Sequence, residues 1–322
     1  HHYLRRNLTL LNKIWDNADM VDNGAITAAA IGHVAYEILQ NEINANVCGN
    51  TSKGLFAVTD KKRILFISHQ KFKGPLTVNI NENLPAHQAL SNNGYLLLSP
   101  NRIKFIQPAM EIKINSQTHV WTPLILNKVD FNLEAFINRS RLIDREMIRQ
   151  LSDNESDFTS CNIRNIANQG QAQEIQTNIK NNLKSSLSSR NEVAAFEPLS
   201  NLLGCGEGLT PSGDDFICGF LLAAHAWKEI LFPGFALQEA IQKIIEVAFG
   251  KTTTLSANLI ACAASGSADE RIIRCVKWLN SDGRSAAQII KELLSYGSSS
   301  GLDTLAGMLA FIQSSPIFYQ KS

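Results

Sequence analysis

The sequence predicts an α+β chain: a β-rich N-terminal part, a curved antiparallel sheet or small barrel behind one leading helix, followed by an all-helical C-terminal part. Three observations carry this. Apolar residues recur at helical spacing over Ala25 to Gln40. Short runs bounded by turn residues fill Asn46 to about Leu124. Helical periodicity returns after Pro123 and holds to the end. At 322 residues the chain is long for a single hydrophobic core. The change of period divides it into a β-rich domain at 1–130 and a helical domain at 131–322.

Each element has its own warrant. Ile26, Ala30, Val34 and Ile38 give the leading helix its stripe. Gly54 to Thr59 and Arg63 to Ser68 flank the turn Asp60-Lys61-Lys62. Leu76, Val78 and Ile80 alternate with polar neighbours. Tyr95 to Ser99 and Arg102 to Ile106 flank Pro100-Asn101, and Glu111 to Asn115 alternates as a half-buried strand should. Leu133, Phe136, Ile143, Met147 and Leu151 mark a helix. Ser152 to Arg190, rich in Asn, Gln and Ser, reads as helix plus exposed connection. Further helices are expected over Asp214 to Ile230, Leu237 to Phe249, Ser256 to Ala264, Glu270 to Leu279, Ala286 to Leu294 and Leu302 to Gln313.

Bulk properties exclude several classes. Thirty basic residues against 29 acidic leave a net charge of +1, which speaks against nucleic-acid or membrane-surface binding, since both need a concentrated basic face. The six cysteines (Cys48, Cys161, Cys205, Cys218, Cys262, Cys275) form no Cys-x-x-Cys pair and fit small buried hydrophobes in a reducing cytosol. His1-His2-Tyr3 reads as a tag remnant and is left out of any site argument. The longest apolar run, Phe216 to Trp227, is too short for a membrane span. The expectation is a soluble, cytoplasmic protein.

The chemistry concentrates in one stretch. Gly204 to Asp215 packs four glycines, Thr210, Pro211, Ser212 and the adjacent carboxylates Asp214 and Asp215 into twelve positions, and an apolar helix follows at once. Clustered glycine points to dihedrals or close approaches that a Cβ forbids. A loop feeding a helix start leaves N–H donors where anions bind. Gly204, Gly206, Gly208, Thr210, Ser212 and Gly213 are therefore candidate anion-binding residues, with Ser212 or Asp214 as the helix N-cap. Asp214 and Asp215 are the catalytic candidates, and metal ligands only if Mg²⁺ is used. The bland alternative is a helix cap plus close backbone packing, without a ligand.

Two further segments hold candidates, and the first of them repeats the design. Ser299, Ser300, Gly301 and Asp303 precede another apolar helix, with Ser300 and Asp303 spaced as a capping box. Lys251 and Thr252 follow a helix end at Gly250, with Ser256 as the next N-cap. Gly-Lys-Thr here is no phosphate-binding P-loop, because Ile245 stands where that motif needs glycine. Lys251 can still bring a positive charge to a phosphate. His33 and His225 lie in apolar helical patterns and read as core. His87 and His119 read as loop or surface positions, and His69, at a strand end, is the one candidate from the β-rich part. Without a His-x-x-x-His or Cys-x-x-Cys pair, a zinc site is not expected.

The stretch from Gly204 to Phe216 resembles the hallmark of a bacterial family of unknown function that includes the AllH-type subunit of oxamate carbamoyltransferase, an enzyme of anaerobic allantoin breakdown. Thr252-Thr253 with Ser256, and Ser299-Ser300-Gly301-x-Asp303 with Gly307, resemble its later motifs in order, so the likeness spans about Leu202 to Phe311. It implies a multi-subunit enzyme that moves a carbamoyl group between phosphate and the amide nitrogen of oxamate, with carbamoyl phosphate as substrate and other protein subunits as partners. Two other readings stand beside it: a non-catalytic anion-sensing or scaffolding subunit, and an Mg²⁺-dependent phosphotransferase using Asp214 and Asp215.

Overall fold

A computed structural model describes residues 25–81, 94–107, 110–123, 131–153, 191–281 and 283–319, with short stretches between 181 and 189. Most of the Ser152 to Arg190 stretch, with Cys161 and His87, lies outside these residues. The chain divides into two compact units. One comprises residues 1–61, 65–71 and 77–120, and the other 62–64, 72–76 and 121–322.

The first unit is a barrel. Its elements are β1 (Ile26–Gly32), α1 (His33–Asn41), β2 (Asn44–Thr51), β3 (Gly54–Val58), β4 (Ile64–Ser68), β5 (Thr77–Ile80), β6 (Tyr95–Ser99), β7 (Arg102–Phe105), β8 (Met110–Lys113) and β9 (His119–Trp121). The strand order β5-β4-β3-β2-β6-β7-β8-β1 closes on itself because β1 also pairs with β5, giving an eight-stranded ring with β9 beside β1. Closure removes the unpaired edges that would template aggregation. The ring is not wholly antiparallel, since β1–β8 and β4–β5 run parallel. Its interior is small and apolar: Ala28, Ala45, Ala57, Ile31, Leu55 and Ile103 share one core with Ala35, Ile38 and Leu39 of α1.

The expected helix over Ala25 to Gln40 is half right. Residues 26–32 form β1, and only from His33 does the chain turn helical. Alanine has the highest intrinsic helix propensity, but here the alanines are small enough to line the barrel. Pairing of Ala28 with Ile80 and Ile31 with Val78 overrides the local preference.

The second unit is helical: α2 (Leu133–Asp153), α3 (Glu192–Ser200), α4 (Ser212–Leu231), α5 (Gln238–Lys251), α6 (Thr254–Ala264), α7 (Glu270–Ser281), α8 (Ala286–Leu294) and α9 (Ser300–Gln313), then a short 3-10 turn at Pro316–Tyr319. The predicted helices from Asp214 onward all form, within a few residues of their expected ends. Sequence reasoning missed α3, whose Pro198 lies inside the helix.

Two apolar helices, α4 and α9, make the centre of this unit. Residues from Ser300 to Ile312 of α9 are all buried. Gly219 and Gly307 set how closely the two helices approach: a Cβ on Gly219 would lie 1.8 Å from the Thr304 carbonyl oxygen, and one on Gly307 1.9 Å from that of Phe216. The backbones therefore touch, and Phe220 meets Phe311 edge-on at 5.2 Å between ring centroids. This contact brings the first turns of α4 and α9 together, which is what places the site. Among the described residues no helix is long and apolar enough to cross a membrane.

Candidate functional site

The site is built from the chain end that leaves α3. Cys205 N–H donates to Leu202 O and Gly213 N–H to Cys205 O, folding the glycine loop back on the start of α4. Two glycines make that fold possible. Gly204 has φ +75° and Gly206 φ +119°, and a Cβ at these positions would lie 2.6 Å from Lys251 O and 2.7 Å from Ser212 N. The tip, Glu207 to Leu209, is exposed.

Neither expected cap is used. The N-cap of α4 is Pro211, with no side-chain bond. Ser212 and Asp214 fall inside the first turn, where a side chain no longer reaches the orphan N–H groups. Asp214 instead ties three segments together: its Oδ1 accepts from Gly204 N–H at 2.9 Å, and its Oδ2 accepts from the Thr252 hydroxyl. The neighbouring Thr253, not Ser256, caps α6, and its hydroxyl also donates to Leu209 O at 2.7 Å. The Ser300–Asp303 capping box is likewise absent, with Ser299 at the N-cap of α9 and making no side-chain cap bond.

Ser300 and Asp303 face inward. Ser300 Oγ lies 3.1 Å from Thr210 Oγ1, bridging the glycine loop to α9, and Thr304 donates to Ser300 O. Asp214 is 1 % exposed, while Asp215 and Asp303 are each 3 %. Three carboxyl groups are thus gathered, almost dry, where α4 and α9 begin. Burial raises the pKa of Asp214 against its Gly204, Thr252 and Ser256 donors. For Asp215 burial is again the first cause, and the Asp303 and Asp214 charges add to it. Together they outweigh the Ser300 and Thr210 hydroxyls and hold Asp215 well above the carboxylate range. Its Oδ2 is buried without a hydrogen-bond partner among the described residues.

The helix starts offer an anion less than their sequence implied. Gly213, Asp214 and Asp215 N–H donate to Cys205 O and Pro211 O. On α9 Gly301, Leu302 and Asp303 N–H donate to Tyr296 O and Ser299 O. Donors for a ligand must come from the glycine loop itself and from the Thr210 and Ser300 hydroxyls.

Lys251 and His69 are the remaining candidates. Lys251 ends α5 with its Nζ 3.4 Å from Ser200 Oγ, although its charge acts on Cys205. His69 belongs to the barrel unit, just after β4. His225, expected in the core, is exposed, as is Cys48. Asp214 and Asp215 are the candidate Mg²⁺ ligands. Both oxygens of Asp214 are engaged, and among the described residues no group of three or more His, Cys, Asp or Glu is placed to hold a metal ion.

Sequence reasoning missed Cys218, Tyr296 and Thr304. Cys218 stands one turn beyond Asp214 and Asp215, and that i+3, i+4 spacing was the available signal. Burial first, then Asp215 and Asp214, push its thiol well up. Cys205 is raised by burial and Asp214 against Lys251. Both are therefore poor nucleophiles.

The fold and site together define a chain with a β-barrel unit and a helical unit whose buried acids meet at two converging helix starts. Residues 202–312 match the model of the AllH family, described as oxamate carbamoyltransferase subunit AllH. The match covers about a third of the chain. It opens at the glycine loop, closes one residue before the end of α9, and contains every residue that converges on Asp215. No solved structure matches the chain.

Proposed function

We propose that the chain is a carbamoyltransferase subunit acting on small anions of the carbamoyl phosphate and oxamate type, with its substrate site at the start of α4. The observation that carries this reading is coincidence. The family-matched segment, 202–312, is the one whose three motifs, far apart in sequence, meet around Asp214, Asp215 and Asp303.

The chemistry follows from the groups present. The oxamate nitrogen attacks the carbamoyl carbon and an N–C bond forms. The bond from that carbon to the bridging phosphate oxygen breaks, phosphate leaves with the electron pair, and the proton shed by nitrogen departs on it. The glycine-loop N–H groups, Thr210 and Ser300 hold the phosphate or the tetrahedral oxyanion. Asp215, its pKa raised by burial and the neighbouring acids, donates a hydrogen bond to the carbonyl oxygen as negative charge grows there. Asp214 positions the loop through Gly204 and Thr252. Calorimetric titration of the full chain with carbamoyl phosphate tests this. Binding that Gly206→Val abolishes is expected; binding untouched by that substitution, or no binding, contradicts it.

One observation favours a second reading, an anion-sensing or scaffolding subunit. Both thiols near the acids are held protonated, and the loop tip is exposed, with Leu209 52 % accessible. In that case a partner subunit supplies the reacting groups.

A further inference from the structure

We infer that Asp215 reads a primary amide: its carboxyl group pairs with the –CO–NH₂ of a carbamoyl or oxamate substrate, donating to the carbonyl oxygen and accepting from the nitrogen. This rests on the proposed substrate site and names what that site selects for. The argument starts from the orphaned oxygen. Asp215 Oδ2 is buried and has no hydrogen-bond partner among the described residues, although a buried polar atom is nearly always satisfied.

Its surroundings decide what completes it. The Thr210 and Ser300 hydroxyls face the carboxyl group. The titratable groups around it are Asp214 and Cys218 on its own helix, Asp303 on α9, and Tyr296 just before α9. Among the described residues none of these groups is basic, so a bare carboxylate there lacks a counter-charge, while a neutral carboxyl group is at home. A neutral carboxyl offers one donor and one acceptor side by side, and a primary amide offers the complementary acceptor and donor. A fully ionised dianion such as oxalate has no donor to return.

Two ligand pairs test this on the full chain, each differing in the NH₂ group. Oxamate is compared with oxalate, and carbamoyl phosphate with acetyl phosphate. In the wild type the amide-bearing member binds at least about tenfold more tightly in one pair or both, and the pair that discriminates identifies the substrate presenting its amide to Asp215. Asp215→Leu abolishes the preference. Asp215→Asn, whose side chain keeps a donor and an acceptor, retains it. In the wild type the preference falls as pH rises and Asp215 ionises, whereas in the Asn variant it is flat. Equal binding within both pairs, still sensitive to Gly206→Val, overturns the amide inference and leaves the anion site standing. No binding of any of the four ligands overturns both.

Discussion

Asp214 and Asp215 are adjacent in sequence and equally buried, yet their partners give them different work. Asp214 accepts from Gly204 N–H and the Thr252 hydroxyl, so it fastens the glycine loop to the turn between α5 and α6. Asp215 faces hydroxyls and a second acid, and desolvation pushes its pKa well up. This has a consequence for stability. A carboxyl group whose folded pKa lies above its unfolded value stabilises fully below the unfolded pKa, near 4. That stability is lost as pH rises through the folded pKa. Asp215→Asn cannot titrate, so its melting temperature relative to wild type is predicted to climb as pH rises above about 4. Thermal denaturation across that range checks it, and a pH-independent difference would count against a buried neutral acid. At this scale the sequence showed which residues matter better than what they do. Ser212, Asp214, Ser300 and Asp303 were legible as residues of helix starts. The cap role failed for each because the helices begin one to three residues earlier than the caps require.

Among the elements, the α4–α9 contact governs the site. Gly219 and Gly307 let the two backbones touch, and this fixes the distance between Asp215 and the first turn of α9. Gly219→Ala or Gly307→Ala inserts a methyl group where a carbonyl oxygen already sits, at a cost of about 1–3 kcal/mol of overpacking each. Their effects combine non-additively, because one separation of the helices relieves both. Chemical denaturation of the single and double variants measures this, and full additivity would show that the glycines act independently. The sequence announced these helices through their apolar runs, but nothing local marked Gly219 or Gly307 as contact points, since the atoms they meet lie over eighty positions away. The same limit explains β1. Its residues carry no local sign of β5, where Ala28 pairs with Ile80, or of β8, where Ile26 pairs with Ile112.

At the scale of the molecule, turn spacing made the β-rich part readable as a sheet or barrel. Its closure through β1–β5 and β1–β8, and the two parallel pairings, depend on long-range register that periodicity does not encode. The helical unit behaves oppositely: its motifs are local, so the family likeness was visible from residues alone, and the matched segment, 202–312, agrees with where that likeness lay. On the proposed function, the acids at the converging starts of α4 and α9 carry the carbamoyl transfer. The most direct measurement is the steady-state transfer rate of the assembled enzyme carrying Asp215→Leu, with assembly verified by size-exclusion chromatography. A kcat lower by about 100-fold or more in an intact complex is expected. A wild-type rate in that complex would place the chemistry on a partner subunit and leave this chain a scaffold.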